Sequence, residues 1–445
     1  MALSRIIRHP ARLVPLAFLL AIAAGTILLT LPIARAGPGG APVLTALFTA
    51  TSAVCVTGLA VVDTGTYWSG FGQVVILGLV QAGGLGIMTA ATLLGLVVSN
   101  RLRLGQRLLA QAETRTMALG DVREALKLIL LVVSSVQLFV ALLLFLRLHF
   151  GYEEPLGTAL WNGLFHAVSA FNNAGFARYS DNVMGFSADA LILGPLMIAI
   201  VLGSIGFPVL YELKREARSP RTWSLHTKLT LTGTAGLLLF GTAMTLAFEW
   251  GNAHTIGDMD AGAKLLNAVF HSVSTRTAGF NSVDIGALRQ ETLLVTDALM
   301  LIGGGSGGTA GGIKVTTFMV LGLVVWTELL GERDTQAFRR RVSSEIARLA
   351  LSIVLLAILA ISVGTLALLS MSSFELGSVL FEAVSAFATV GLSTGITAQL
   401  PEGGQLVLVL LMFLGRVGTV TAAAALVLRS RPRPYRYPEE RPIVG

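Results

Sequence analysis

Four short apolar segments, each running into a glycine and each too short to cross a bilayer, constrain what this chain can fold into. They read TSAVCVTGLA from Thr51, AVSAFNNAGFA from Ala167, SVSTRTAGFN from Ser272 and AVSAFATVGLS from Ala383. With Gly58, Gly175, Gly279 and Gly391 as anchors, a phenylalanine precedes the glycine by ten residues (Phe48, Phe165, Phe381), or by nine in the third copy (Phe270). A serine precedes it by six (Ser52, Ser169, Ser385), or by five in the third (Ser274). The anchors are 117, 104 and 112 residues apart. A local geometry is therefore kept while the connections between copies drift.

Of the 445 residues, 54% are hydrophobic and only 13% charged, where a soluble chain carries about a quarter charged. This is an integral membrane protein. Runs approaching or exceeding the roughly 20 apolar residues a crossing needs occur at 13–33, 71–98, 124–148, 187–212, 227–249, 293–302 continuing over 313–330, 345–370 and 403–429, giving eight crossings. The segments at 42–54, 158–171, 264–275 and 376–387 are helical in pattern but span only 12 to 14 residues. Non-helical backbone at membrane depth is tolerated only inside protein or against a watery path, so each reads as a re-entrant pore helix followed by a glycine loop. The expected fold is an all-α integral membrane protein: four tandem helix–pore-loop–helix repeats in pseudo-fourfold arrangement around one pore. The repeats are expected at 1–100, 101–220, 221–340 (with its second crossing broken) and 341–429, with a cytoplasmic tail at 430–445.

Orientation follows from the cationic residues of the connections. The N-terminal stretch, the loops at 101–127, 214–228 and 333–348, and the tail from Arg429 hold 24 of the 32 Lys and Arg residues. Arg35, Arg147, Arg178, Lys264, Arg276 and Arg289 are assigned to the other side, and Lys314 and Arg416 fall inside crossings. Both termini are expected in the cytoplasm, with the pore loops entering from outside. The net charge of +7 is then a topology signal and implies no nucleic-acid partner. The first segment is too long, and lacks the cleavage site, for a removable signal peptide. The single cysteine, Cys55, excludes an internal disulfide and a multi-cysteine metal site.

A dehydrated monovalent cation needs several oxygen ligands at once, and rings of backbone carbonyls supply them without a buried carboxylate. Glycine can take φ > 0 and aim successive carbonyls at an axis. The residues before the anchors are small or neutral: Val56 and Thr57, Asn173 and Ala174, Thr277 and Ala278, Thr389 and Val390. Together with Gly58, Gly175, Gly279 and Gly391 they form the candidate selectivity filter, with a monovalent cation at its carbonyls.

These residues resemble the Trk/Ktr/HKT superfamily of potassium and sodium transporters, most closely its Ktr-type membrane subunits, over nearly the whole chain. In that family the four filter glycines favour potassium. A serine in the first loop accompanies sodium transport in some plant members. Glycine at all four anchors here implies channel-like, potassium-selective uptake, with dependence on Na+ left open. The loops depart from the TVGYG filter of tetrameric potassium channels, because Leu59, Phe176, Phe280 or Leu392 follows the single glycine. Fewer carbonyl rings predict looser discrimination against sodium and rubidium.

The sixth crossing contains Gly303, Gly304, Gly305, Ser306, Gly307, Gly308, Thr309, Ala310, Gly311 and Gly312. Each glycine costs about 1 kcal/mol relative to alanine in a helix, so a flexible loop interrupts the crossing and is expected to face water on the cytoplasmic side of the filter. It reads as a gate and resembles the gating loop of the family. A nucleotide-binding loop is disfavoured, because the G-x-x-x-x-G-K-[ST] register and a preceding strand are missing. Arg416, in LGRVGT of the last crossing, is too costly to face lipid. It is expected inside the bundle, paired with carbonyls or a carboxylate, and the family places a cation close to the gating loop there. Lys314 either donates to loop carbonyls or snorkels to the cytoplasm.

Gly86, Gly203 and Gly206 are assigned to close helix packing. Glu382 is either an outer attraction site for cations or an acceptor for loop amides. His166 and His271 read as hydrogen-bonded pore-helix residues rather than metal ligands. The proline-rich, charged tail is expected to lie on a surface. No enzyme constellation is present. Alternating-access transporters also break helices at the midplane, but they usually repeat in two halves, and acidic residues would be expected for ion coupling; the one acid in a crossing interior is Asp297, near an end. By resemblance the chain forms a membrane homodimer in the bacterial cytoplasmic membrane. Its partner would be a cytoplasmic ring of RCK-type, KtrA-like regulatory subunits, which bind ATP and ADP in place of any cofactor in this chain.

Overall fold

The computed structural model describes residues 10–101, 122–332 and 334–418. The loop at 102–121, the N-terminal Arg5 and Arg8 and the tail at 430–445 lie outside the described residues. The first unit comprises α1 (Pro10–Thr30), α2 (Val43–Cys55) and α3 (Gly70–Arg101). The second comprises α4 (Val122–Gly151), α5 (Leu156–Asn172), α6 (Ala190–Ile205) and α7 (Phe207–Glu216). In the third are α8 (Leu225–Glu249), α9 (Ala261–Ser274), α10 (Gln290–Leu301) and α11 (Val315–Leu329). A small antiparallel hairpin, β1 (Gln336–Ala337) and β2 (Arg340–Arg341), leads to α12 (Ser344–Met371), α13 (Leu376–Ala388) and α14 (Glu402–Phe413), which ends in a π turn at Leu414–Gly418.

Lys127–Gly151, Leu225–Glu249 and Ser344–Met371 are each long and apolar enough to cross a membrane alone. Their outward faces expose Leu138, Phe139, Leu239, Leu359 and Leu366, side chains as apolar as lipid tails. The pore helices α2, α5, α9 and α13 are short, at 13, 17, 14 and 13 residues. The second starts two residues earlier than the sequence suggests, directly after Pro155, whose ring presets the entry into a helix. The recurrent phenylalanines explain themselves by packing. Phe48, Phe165, Phe270 and Phe381 are all completely buried, each anchoring its pore helix with a large aromatic surface.

The fourth crossing is not continuous as expected. Ala190–Ile205 and Phe207–Glu216 meet at a 98° bend. Gly206 adopts φ +100°, a conformation open to glycine, and Pro208 is the second residue of the next helix, Phe207–Glu216. The last carbonyls of α6 are taken by the glycine-rich segment. Gly305 N–H donates to the Ser204 carbonyl at 2.8 Å and Thr309 N–H to the Gly203 carbonyl at 3.0 Å, while Phe207 N–H donates to the Gly307 carbonyl at 3.2 Å. Orphan groups at a helix end need such partners, and here they come from another broken helix. Gly203 does serve close packing, because a methyl there would lie 3.0 Å from Thr309 Oγ1. Gly206 makes the bend instead.

Candidate functional site

The glycine loops form where each pore helix ends. Val56, Asn173 and Thr389 cap their helices in the left-handed conformation. In the third copy, one residue shorter, the helix ends at Ser274 and the left-handed residue is Thr277. All four lie two positions before the anchor glycine. The residue between them is held the same way in every copy, by the carbonyl of the recurrent serine. Thr57, Ala174 and Val390 N–H donate to Ser52, Ser169 and Ser385 at 2.8 Å, and Ala278 N–H to Ser274 at 2.9 Å. The Ser52 and Ser385 hydroxyls also accept from the Gly58 and Gly391 amides, at 3.0 and 3.1 Å. The Ser274 hydroxyl instead donates to the Phe280 carbonyl.

The anchors themselves meet in a closed ring. Their φ values are +94°, +67°, +75° and +96° for Gly58, Gly175, Gly279 and Gly391. A methyl on Gly58 would lie 3.0 Å from the Cα of Gly175, and one on Gly175 2.9 Å from that of Gly279. From Gly279 the next contact is Gly391 at 3.2 Å, and from Gly391 it is Gly58 at 3.1 Å. Backbone packs on backbone around the circuit, so a side chain is excluded both by φ and by its neighbour.

On the side where the pore helices end, residues 302–314 separate α10 from α11. The expected flexible loop has a tied neck. Gly303 N–H donates to the Ile313 carbonyl at 2.9 Å, Ile313 N–H to Leu301 at 3.0 Å and Val315 N–H to Gly304 at 3.0 Å. Among Gly303, Gly304, Gly305, Ser306, Gly307, Gly308, Thr309, Ala310, Gly311 and Gly312, all but Ser306 are buried. Its glycines are contact points, with Gly311 pressed against Thr389 and Ala388 of the fourth loop.

Three cationic side chains converge on this segment. Lys314 Nζ donates to the Ala310 carbonyl at 2.6 Å. Arg416, 2% exposed within the π turn, donates through Nη1 to the Thr309 carbonyl, while its Nε and Nη2 have no partner among the described residues. The third is Arg276, which the charge count assigns to the outer surface. It is 3% exposed, with Nη2 on the Gly303 carbonyl at 3.1 Å and Nη1 on that of Thr234 at 3.2 Å. Arg276 lies at the innermost turn of a re-entrant loop, so counting it with the outer connections misplaces it.

The other singled-out polar residues support the loops. Glu382 is fully buried and accepts from Ser393 and Thr397 hydroxyls at 2.5 and 2.7 Å and from the Thr394 amide at 3.1 Å. His166 Nε2 accepts from the Arg178 amide at 3.3 Å, and His271 Nε2 lies 3.0 Å from Thr296 Oγ1. No group of metal-ligating side chains occurs among the described residues. Sequence reading missed Glu249, also fully buried. It accepts from the Arg289 amide at 2.9 Å, from Asn252 and Thr255 at 2.7 Å each, and from the Thr292 hydroxyl.

The TrkH family, described as cation transport proteins, matches residues 24–432. "Ktr system potassium uptake protein B" of Bacillus subtilis is 40% identical, covering 98% of this chain and 97% of its own. The protein of the same name from Vibrio alginolyticus is 39% identical over 98% and 94%. "Potassium/sodium uptake protein NtpJ" of Enterococcus hirae is 33% identical over 98% and 97%. The crystal structure of the potassium transporter TrkH from Vibrio parahaemolyticus has the same fold, with TM-score 0.72 at 16% identity, covering 94% of this chain and 84% of that one. These relatives are ion transporters rather than enzymes, and the chain, matched over nearly its full length, belongs to the TrkH family of cation transport proteins.

Proposed function

We propose that this chain is the ion-translocating membrane subunit of a potassium uptake system of the Ktr/Trk type. Potassium passes through the ring of Gly58, Gly175, Gly279 and Gly391, coordinated by carbonyls of the loops that carry Val56, Thr57, Asn173, Ala174, Thr277, Ala278, Thr389 and Val390. One observation carries this reading: four glycines from four separated repeats, all at positive φ, close into a single ring of touching backbone. Backbone carbonyls are the natural ligands of a dehydrated monovalent cation in such a passage. The names of the B. subtilis and V. alginolyticus relatives support potassium as the cargo, and that of the E. hirae relative supports a link to sodium.

Residues 303–312, with Lys314 and Arg416, act as the gate. A cytoplasmic ring of RCK-type, KtrA-like subunits that bind ATP and ADP sets its position, and the membrane subunit pairs as a homodimer with both termini in the cytoplasm. The relatives' description as parts of a Ktr system supports partner subunits.

The test is potassium flux in liposomes against competing sodium, for the parent and for Gly58→Ser. A serine forced to positive φ costs about 1–2 kcal/mol and intrudes on Gly175. Potassium preference over sodium is expected to fall. Preference retained in full after substitution at each of the four anchors would remove the filter assignment.

A further inference from the structure

The glycine-rich segment is tied by hydrogen bonds to two of the four filter loops and only packed against a third. Gly311 N–H donates to Thr277 Oγ1 at 3.2 Å. The Thr309 hydroxyl lies 3.1 Å from the Phe171 carbonyl and 3.2 Å from Asn173 Oδ1. Asn173 Nδ2 in turn reaches the Arg276 carbonyl at 3.4 Å, and the Arg276 guanidinium holds the Gly303 carbonyl. The second and third loops and both halves of the segment thus share one buried network. At the equivalent place in the fourth loop the Thr389 hydroxyl has no partner among the described residues, although a methyl on Gly311 would lie 3.1 Å from its Cβ. Val56 fills that place in the first loop and offers no side-chain hydrogen bond.

These four positions share left-handed backbone: Val56 at φ +58°, Asn173 at +58°, Thr277 at +70° and Thr389 at +52°. Asparagine tolerates that region. For β-branched side chains it is an outlier, held in place by the surroundings. In the third loop the glycine-rich segment is one of those surroundings.

Building on the reading of the ring as filter and of 302–314 as gate, we propose that Asn173, Arg276 and Thr277 are positioning residues that latch the gate to the second and third filter loops. Displacing the segment removes acceptors and donors from the residues that fix the turn before Gly175 and Gly279. Opening therefore changes which ions the ring favours as well as whether ions pass. The effect is lopsided, because the first and fourth loops have no such bonds to lose among the described residues.

The experiment measures K+, Rb+ and Na+ flux into liposomes holding the full chain. Thr277→Val keeps the β-branched shape, which Val56 shows the turn accepts, and leaves the backbone carbonyl in place while deleting the acceptor for the Gly311 amide. A net hydrogen bond of that kind corresponds to about a fivefold shift. Flux without a regulatory partner is expected to rise by about that factor, with the Rb+/K+ ratio moving alongside it. Thr277→Ser restores the hydroxyl and returns both quantities toward the parent. Thr309→Val cuts the network from the gate side with the filter sequence intact, and is expected to move both in the same sense even if the Thr277 variant fails to fold. Unchanged flux in folded Thr277→Val and Thr309→Val overturns the latch. A rise in flux at constant Rb+/K+ ratio overturns the coupling to the filter. A parent protein that passes Na+ as readily as K+ overturns the filter reading instead.

Discussion

Buried charge in this protein is compensated very unevenly from one residue to the next. Glu249 accepts from two hydroxyls, a side-chain amide and a backbone amide. Its replacement by alanine strands donors in a buried site, each at a cost of about 1–3 kcal/mol. Glu249→Ala is therefore expected to lower the melting temperature in detergent clearly; a melt equal to the parent's would show that the cluster contributes nothing. Arg416 is the opposite case, with one carbonyl partner and two nitrogens left over among the described residues. Losing an under-compensated charge removes a desolvation penalty along with the contact that holds Thr309. Arg416→Gln is expected to keep or raise the melting temperature while potassium flux rises; unchanged flux at matched protein amounts would end its assignment to the gate. The four anchor glycines were legible in the sequence as positions of special backbone, because positive φ and backbone contact leave few other choices. Glu249 was not, because its partners come from positions up to 43 residues away and no spacing announces them.

Among the helices, the clearest departure from expectation is the 98° bend between α6 and α7. Hydropathy alone reads 187–212 as one crossing, since both halves are apolar enough to continue it. The glycine at 206 followed by Pro208 marks a break, but the force that keeps it broken is tertiary: the amides of 302–314 occupy the carbonyls of Gly203 and Ser204. Gly206→Ala forbids φ +100° at a cost of about 1–2 kcal/mol and sets a methyl 2.5 Å from the Ser306 carbonyl. It is expected to push the segment away from α6, giving leakier potassium flux and earlier protease cleavage in 302–314; a parent-like cleavage pattern would show that the bend and the segment are independent. The short pore helices, by contrast, were legible as elements, because a helix of 13 to 17 residues followed within a few residues by a glycine is too short to cross a bilayer.

For the molecule as a whole, the proposed gate is internal and its proposed control is external. Flux from the isolated subunit is accordingly expected to be insensitive to ATP and ADP; a nucleotide response in its absence of partners would sink the regulatory-ring reading. The fourfold unit was visible from spacing alone. Its departures from symmetry were only partly so: the shortened third copy shows in the Phe and Ser offsets, whereas the hydrogen bonds that favour the second and third loops depend on a segment belonging to neither.

Because all four quarters of the ring are covalently one chain, each corner is encoded separately. In an assembly of four identical subunits a single codon change is imposed four times over, and a tolerable defect becomes a disabling one. Here a corner can be altered at a quarter of the dose, and the shorter third turn with its own serine geometry is an instance already present. If the ring selects ions as proposed, such a protein can drift through graded ion preferences one corner at a time, along a route closed to a symmetric assembly.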